Sequence, residues 1–182
     1  MPQWSTILID VMSRDSVCSQ GKAVSYYWRM CPNGGHIELT AEKVVEILKT
    51  NGYILNGYLE ADCVGQIEAY LELAEAGHLK PSDHVKRVRR APEIHMFEIR
   101  WDHIGTTKQD KVSGMYEESR AMVRLYYVEQ GEPWVVGLHV HEKTLGSNDN
   151  ETNRLQNQEM DKARTCFEAG ADSWWGVAEL AP

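Results

Sequence analysis

The sequence predicts an α+β protein in which an antiparallel β-sheet follows a pair of helices and precedes a carboxyl-terminal helix. Apolar residues recur at helical spacing before Pro81 and again after residue 150. Between these stretches lie three short runs of β-branched and aromatic residues. With 42% hydrophobic and 25% charged residues among 182, the composition is that of a folded globular protein with one core or two small lobes.

The amino-terminal part predicts a β-hairpin followed by a short helix. Residues 7–11 and 23–30 are rich in β-branched and aromatic residues and bracket a polar stretch. Thr40 is predicted to be the N-cap of a helix whose apolar stripe ends before Asn51. We interpret residues 1–60 as an extension that precedes the main domain.

A second helix is predicted over residues 62–76, because Val64, Ile67, Leu71 and Ala74 recur at helical spacing. Gly77 is predicted to end this helix. The start stays open, since residues 53–61 suit either a turn or an earlier part of the same helix. The main domain is predicted to run from residue 61 to residue 170.

After Pro81 the sequence predicts a three-stranded antiparallel sheet. The strands are residues 96–101, 121–128 and 134–141, and a tight turn joins the last two. Residues 102–119 are polar and are predicted to form a long loop.

Several caps before residue 150 and an apolar stripe predict a helix that ends at Gly170. The tail, residues 171–182, contains Trp174 and Trp175. These side chains suit packing onto the core, with base stacking or partner docking as the alternatives.

Charge and composition limit the function classes. The net charge of −8 opposes indiscriminate binding of nucleic acid, and only residues 80–100 are basic, with six Lys and Arg against three Asp and Glu. No apolar run suits a membrane span and the amino end resembles no secretory leader, so a cytoplasmic location is expected. The four cysteines are scattered, which favours reduced thiols over a zinc site or a disulfide framework.

Each predicted strand has one apolar and one polar side, because alternate residues point to opposite faces. The polar sides carry these groups: Arg100, Arg124, Tyr126, His139 and His141. In the last strand, Val136, Leu138 and Val140 are predicted to share the apolar side, opposite Val135 and Gly137. If the strands are neighbours, the polar groups form a surface suited to phosphate binding and proton transfer. The alternative is a solvated face whose charges pair with Glu98 and Glu142.

Two further features allow more than one interpretation. The basic tract suits RNA-backbone contacts or a solvated loop, and its cations are Lys86, Arg87, Arg89 and Arg90. His139 and His141 point the same way and suit two metal ligands. A third ligand would have to come from Asp102 or His103, which the spacing does not demand, so proton transfer, phosphate contact or packing is preferred.

Six short motifs occur in a fixed order between residues 62 and 169. They are AYLELAEAG, HVKRV, MFEIR at 96–100, VRLYYV at 123–128, GLHVHEKT at 137–144 and EMDKARTCFE at 159–168. Their order and composition resemble the RelE/HigB toxin superfamily, in particular its phage-derived branch. The resemblance implies a RelE-like sheet flanked by helices.

The resemblance also implies a metal-independent endoribonuclease that cuts messenger RNA at the ribosome and is neutralised by a cognate antitoxin protein. The ribose 2′-hydroxyl attacks the adjacent phosphorus, so the protein must deprotonate it, stabilise the phosphorane and protonate the leaving oxygen. The matching positions imply these roles: Arg100 and Arg124 stabilise charge, Lys143 or His141 acts as acid or electrostatic partner, and Tyr126 stacks or aids proton transfer. No metal or cofactor is expected. The alternative is a catalytically silent RelE-like protein of mobile-element origin that binds a protein partner.

Overall fold

The computed structural model describes residues 15–90, 92–110, 113–130 and 133–181, which form a six-stranded mixed sheet and three α-helices. The predicted α+β class is therefore confirmed. In chain order the elements are β1 (Ser25–Trp28), α1 (His36–Thr50), β2 (Tyr53–Ile54), α2 (Gly57–Glu75), β3 (Val85–Arg87), β4 (Met96–Gln109), β5 (Tyr116–Glu129), β6 (Trp134–Glu142) and α3 (Asp149–Gly170). None of the helices in these ranges combines the length and the hydropathy that crossing a membrane requires.

The sheet has the strand order β1-β6-β5-β4-β2, and β3 pairs with the same edge of β4 as β2. Strands β4, β5 and β6 are antiparallel neighbours, as predicted. The predicted loop over residues 102–119 is wrong, because β4 continues to Gln109 and β5 begins at Tyr116. Cross-strand pairs such as Lys108 opposite Glu117 explain how so polar a segment forms a hairpin.

The amino-terminal strand belongs to this same sheet. The second half of the predicted hairpin forms β1, which pairs in parallel with β6, while the first half, residues 7–11, lies outside the described residues. The predicted boundary after residue 60 falls inside α2.

Helix α1 begins four residues before its predicted N-cap. The cap is Gly35, with φ of +70°, and Thr40 lies buried inside the helix, so the prediction for Thr40 is wrong. The Thr40 hydroxyl donates to the His36 carbonyl at 2.7 Å and lies 2.9 Å from the Tyr26 hydroxyl. A threonine whose hydroxyl bonds the preceding turn in this way is satisfied without capping.

Helix α2 starts at Gly57, which settles the open question about residues 53–61. The Asn56 side chain caps it by accepting from the Leu59 amide at 2.9 Å. Gly77 follows the helix with φ of +71°, as predicted, and a Cβ there would overlap the Lys22 backbone.

Helices cover both faces of the sheet. Helices α1 and α2 pack on one face over an apolar core, to which the strands contribute Phe97, Ile99, Trp101, Val123, Leu125 and Tyr127. Helix α3 packs on the other face over a smaller core that includes Met96, Tyr126, Val128, Val136 and Leu138. Most of the predicted polar side of the strands is therefore buried under α3, so the face is not solvated, but Arg100 lies within ion-pair distance of Glu98, as that interpretation expected.

A polar cluster interrupts the α1/α2 face where β5 ends. Ser16 Oγ donates to Glu129 Oε1 at 2.5 Å and lies 2.5 Å from the Tyr127 hydroxyl, and the Val17 amide donates to the same carboxylate at 3.1 Å. Burial raises the pKa of Glu129 to about 7, in spite of these hydrogen bonds.

A β-bulge in β6 corrects the predicted faces of that strand. Tyr126 lies opposite His139, but Tyr127 lies opposite Gly137, so Leu138 is an extra residue. Val135 and Val140 accordingly belong to the α1/α2 core, whereas Val136 and Leu138 belong to the α3 core.

Helix α3 is capped by Asn148 and runs to Gly170, close to its predicted limits. Ala163 is the single fully buried residue of this helix, so α3 buries little of its own surface against the sheet. After it the chain turns back, and Trp175 is buried with Nε1 donating to the Phe167 carbonyl at 3.2 Å. This part of the tail packs onto the core, as predicted.

Candidate functional site

The sheet brings four of the five predicted catalytic residues into two rows across β4, β5 and β6. One row is Arg100, Arg124 and His141, and the other is Glu98, Tyr126 and His139. Paired residues in adjacent strands point to the same face, so both rows lie on the face that α3 covers.

Arg100 and Arg124 lie directly opposite each other, an arrangement of like charges that destabilises a sheet unless other groups compensate. Arg124 is 1% exposed; it donates to Asp102 Oδ1 at 2.5 Å and to the Val123 carbonyl at 2.8 Å. Arg100 is partly exposed and donates from Nη1 to the Ser82 carbonyl at 2.9 Å. Its Nε lies 3.9 Å from Glu98 Oε1.

A second bulge, in β4, positions the partner of Arg124. Asp102 and His103 together lie opposite a single residue of β5, Met122, between two regular pairs. Bulges of this kind re-aim side chains and occur often near functional sites. Burial raises the pKa of Asp102, but the hydrogen bond and the charge of Arg124 together lower it by more. The carboxyl is therefore ionised at neutral pH.

Lys143 completes a group of three cations. Its backbone amide donates to the Met122 carbonyl at 2.7 Å, next to the β4 bulge. Burial lowers the pKa of Lys143, and the charges of Arg124 and Arg100 lower it further. A lysine in this environment gives up its proton more readily than a solvated one.

Tyr126, His139 and His141 form an aromatic stack, in which Tyr126 and His141 are buried and His139 is half-buried. The ring centroids of Tyr126 and His141 are 5.4 Å apart, and those of the two histidines are 5.8 Å apart. Burial lowers the pKa of His141 to about 4, so its ring is neutral at physiological pH. The Tyr126 hydroxyl and His141 Nε2 are buried, and neither has a hydrogen-bond partner of normal geometry among the described residues.

Polar contacts from α3 hold this face closed. His139 Nε2 lies 2.7 Å from Glu159 Oε2, and Gln156 Nε2 donates to Glu98 Oε2 at 3.4 Å. Tyr126 is fully buried, so the predicted stacking of its ring on an RNA base is sterically excluded in this arrangement.

An open cleft of about 380 Å³ lies beside this closed face, at the edge of β4. Arg100, Asp102, His103 and His84 are among the residues that line it. Burial lowers the pKa of His84, with a further contribution from Lys80, which favours the neutral ring. Sequence reasoning missed His84 as a chemical group, because it lies outside the strands on which the pattern of alternating faces could be applied.

The four predicted RNA-binding cations fall into two groups. Arg90 forms two hydrogen bonds with the Asp161 carboxylate of α3, at 2.9 and 3.0 Å, and is thereby neutralised. Lys86, Arg87 and Arg89 instead line a pocket at the edge formed by β3.

The metal interpretation of His139 and His141 gains no support, since across the described ranges no cluster of three His, Cys, Asp or Glu residues suits a metal ion. All four cysteines are free thiols. Burial raises the pKa of Cys18 to about 12, which makes that thiol a poor nucleophile.

Comparison of the chain with protein-family models, with curated proteins and with solved structures finds no match.

Proposed function

We propose that the protein is a metal-independent endoribonuclease of the RelE/HigB toxin type, which acts on messenger RNA at the ribosome in the cytoplasm. The observation that carries the proposal is the direct opposition of Arg100 and Arg124 beside Lys143. Like charges placed together destabilise a sheet, and although Asp102 compensates Arg124, a phosphodiester bound at Arg100 relieves the remaining repulsion. The neighbouring cleft supplies room for a substrate and two imidazoles for proton transfer.

In this proposal the reaction takes place at the cleft and not beneath α3. Neutral His84 accepts the proton of the ribose 2′-hydroxyl, which attacks the adjacent phosphorus. Arg100 binds the phosphoryl oxygens and stabilises the added charge. His103, the second imidazole of the cleft, protonates the leaving 5′-oxygen, and the charge of Lys143 adds to the positive potential around Arg100.

Arg124 has a supporting role in this scheme. Because it is almost fully buried and its charge is compensated by Asp102, it holds the Asp102 carboxylate at the edge of the cleft without touching the phosphate. The stacked rings of Tyr126 and His141 pack beside Arg124 on the same face of the sheet.

Incubation of the purified protein with translating ribosomes, followed by mapping of cleaved messenger ends, tests the proposal. Arg100→Ala is expected to slow cleavage by about a hundredfold, since it removes one preorganised donor to the phosphorane. Arg120→Ala is the matched control, because Arg120 is an exposed arginine in the distal part of the β4–β5 hairpin, away from the cleft. Equal rates for the two variants would remove Arg100 from the mechanism.

The chemistry of the product ends provides a second readout. Attack by the 2′-hydroxyl leaves a 2′,3′-cyclic phosphate and a 5′-hydroxyl, whereas attack by water leaves a 5′-phosphate or a 3′-phosphate directly. Ends carrying a 5′-phosphate would contradict the proposed step. Absence of cleavage by the wild-type protein would favour the catalytically silent, partner-binding alternative. A cognate antitoxin protein remains part of the proposal, and its addition is expected to suppress cleavage.

A further inference from the structure

A pocket of about 610 Å³ lies at the sheet edge formed by β3, and its charged lining is basic. Lys86, Arg87 and Arg89 contribute three positive charges and Asp15 contributes one negative charge, so the lining has a formal charge of +2. The whole protein has a net charge of −8. The pocket therefore concentrates positive charge on a molecule that is otherwise acidic.

The cations of the pocket differ from the neighbouring surface cation in how they are compensated. Arg90 is held in a two-point ion pair by Asp161. Lys86 and Arg89 are exposed, and although Lys86 lies opposite Glu98 in the β3–β4 register, neither cation has a carboxylate within ion-pair distance in the described part of the chain. Their charges are consequently available to a ligand.

The pocket adjoins the cleft described above. Ser82 lines both cavities, and its carbonyl accepts the hydrogen bond from Arg100 Nη1 at 2.9 Å. A polyanionic chain with one phosphate at Arg100 therefore reaches Lys86 and its neighbours by passing Ser82.

We propose that this pocket binds the sugar–phosphate backbone of single-stranded RNA next to the bond that is cut. The inference rests on the proposed function and names the part of the substrate that the protein holds. The cavity has the volume of a site for a small molecule or a short segment, which suits a flexible single strand. Lys and Arg contacts to phosphate carry no base information, so the pocket supplies affinity and not sequence preference.

The test is binding of a fluorescein-labelled single-stranded oligoribonucleotide with 2′-O-methyl riboses, which cannot be cleaved by 2′-hydroxyl attack. The variant Lys86→Gln/Arg89→Gln removes two pocket cations. The matched control, Arg120→Gln/Arg154→Gln, removes two exposed arginines elsewhere and leaves the same net charge. Fluorescence anisotropy across a series of salt concentrations gives the affinity and its salt dependence for each protein.

The pocket variant is expected to bind about tenfold more weakly at low salt, and its slope of log K against log salt concentration is expected to be shallower by about 1.4, for two lost phosphate contacts. The control is expected to match the wild type. Equal affinities and slopes for the pocket variant and the control, or no binding of the RNA by the wild type, would overturn the proposal.

The failure of this proposal is distinguishable from failure of the proposed reaction. If the pocket variant loses RNA binding while Arg100→Ala cleaves messenger RNA at the wild-type rate, RNA binding by the pocket is supported and catalysis at the cleft is contradicted. If Arg100→Ala loses cleavage while the pocket variant binds RNA as the control does, catalysis at the cleft is supported and RNA binding by the pocket is contradicted.

Discussion

The two faces of the sheet are built on different principles, although each is covered by helix. The face under α1 and α2 is an apolar core in which strand and helix side chains interlock. The face under α3 buries Glu98, Arg124, Tyr126 and His141, and α3 itself contributes a single fully buried side chain, Ala163. The first face contributes the larger apolar core and buries one carboxyl, Glu129, whereas the second buries several ionisable groups at a cost that a purely structural face would avoid.

The largest expected effect comes from truncating a buried apolar side chain. It tests which face of the sheet contributes more to the free energy of unfolding. Leu71→Ala, in α2, is expected to lower the free energy of unfolding by about 4 kcal/mol, because Leu71 is fully buried and leaves a cavity. Leu73→Ala on the same helix is the control, since Leu73 is exposed, and it is expected to cost less than about 1 kcal/mol. Urea unfolding measures both. If Met160→Ala in α3 destabilised the protein as much as Leu71→Ala, the proposed difference between the faces would be wrong.

The two faces are expected to change the stability of the fold in opposite directions as pH rises. The pKa of Glu129, on the α1/α2 face, is raised from 4.5 to about 7, so its stabilising contribution is complete below pH 4.5 and is lost as pH rises to about 7. The pKa of His141, on the α3 face, is lowered from 6.5 to about 4, so its contribution is present above pH 6.5 and is lost as pH falls to about 4.

Glu129→Gln removes the contribution that falls with pH, so the stability of the variant relative to the wild type is expected to rise by about 3 kcal/mol between about pH 4.5 and about pH 7. The measurement is the urea midpoint of both proteins across this range. Glu118→Gln serves as control, because Glu118 is exposed. Parallel curves for wild type and Glu129→Gln would show that the carboxyl titrates normally.

The smallest expected effect concerns the polar contacts that attach α3 to the sheet. Glu159→Gln removes the charge that faces His139 and is expected to lower the free energy of local opening of α3 by about 1 kcal/mol, without changing that of β5. Amide hydrogen exchange measures the two elements separately. Glu168→Gln, which breaks an exposed pair with Arg164 on the same helix, is expected to leave exchange unchanged. Equal protection of α3 in all three proteins would mean that the helix is held by apolar contacts.

The elements that the sequence predicts well are those specified by local patterns. The stop at Gly77 and the apolar stripe of α3 need no knowledge of distant residues. The same alternation correctly places Arg100, Arg124 and Tyr126 on one side of the sheet.

The rest depends on partners that are remote in sequence. A bulge such as the one at Asp102 and His103 is defined by the strand opposite, so it is invisible until the pairing is known. The parallel pairing of β1 with β6 joins segments about a hundred residues apart. The pattern of α3 predicts an amphipathic helix but not which face of the sheet it covers, and this choice decides that Arg124 is buried.

Because Leu138 is an extra residue, deleting it changes the register of β6 differently from a deletion in a regular strand. Deleting one codon within a regular strand reverses the orientation of every side chain on one side of the cut. Deleting the Leu138 codon removes the bulge instead, and His139, Val140 and His141 keep the orientations they now have. Shortening β6 at this position therefore keeps the imidazoles facing the arginines, although it removes a fully buried leucine from the α3 core.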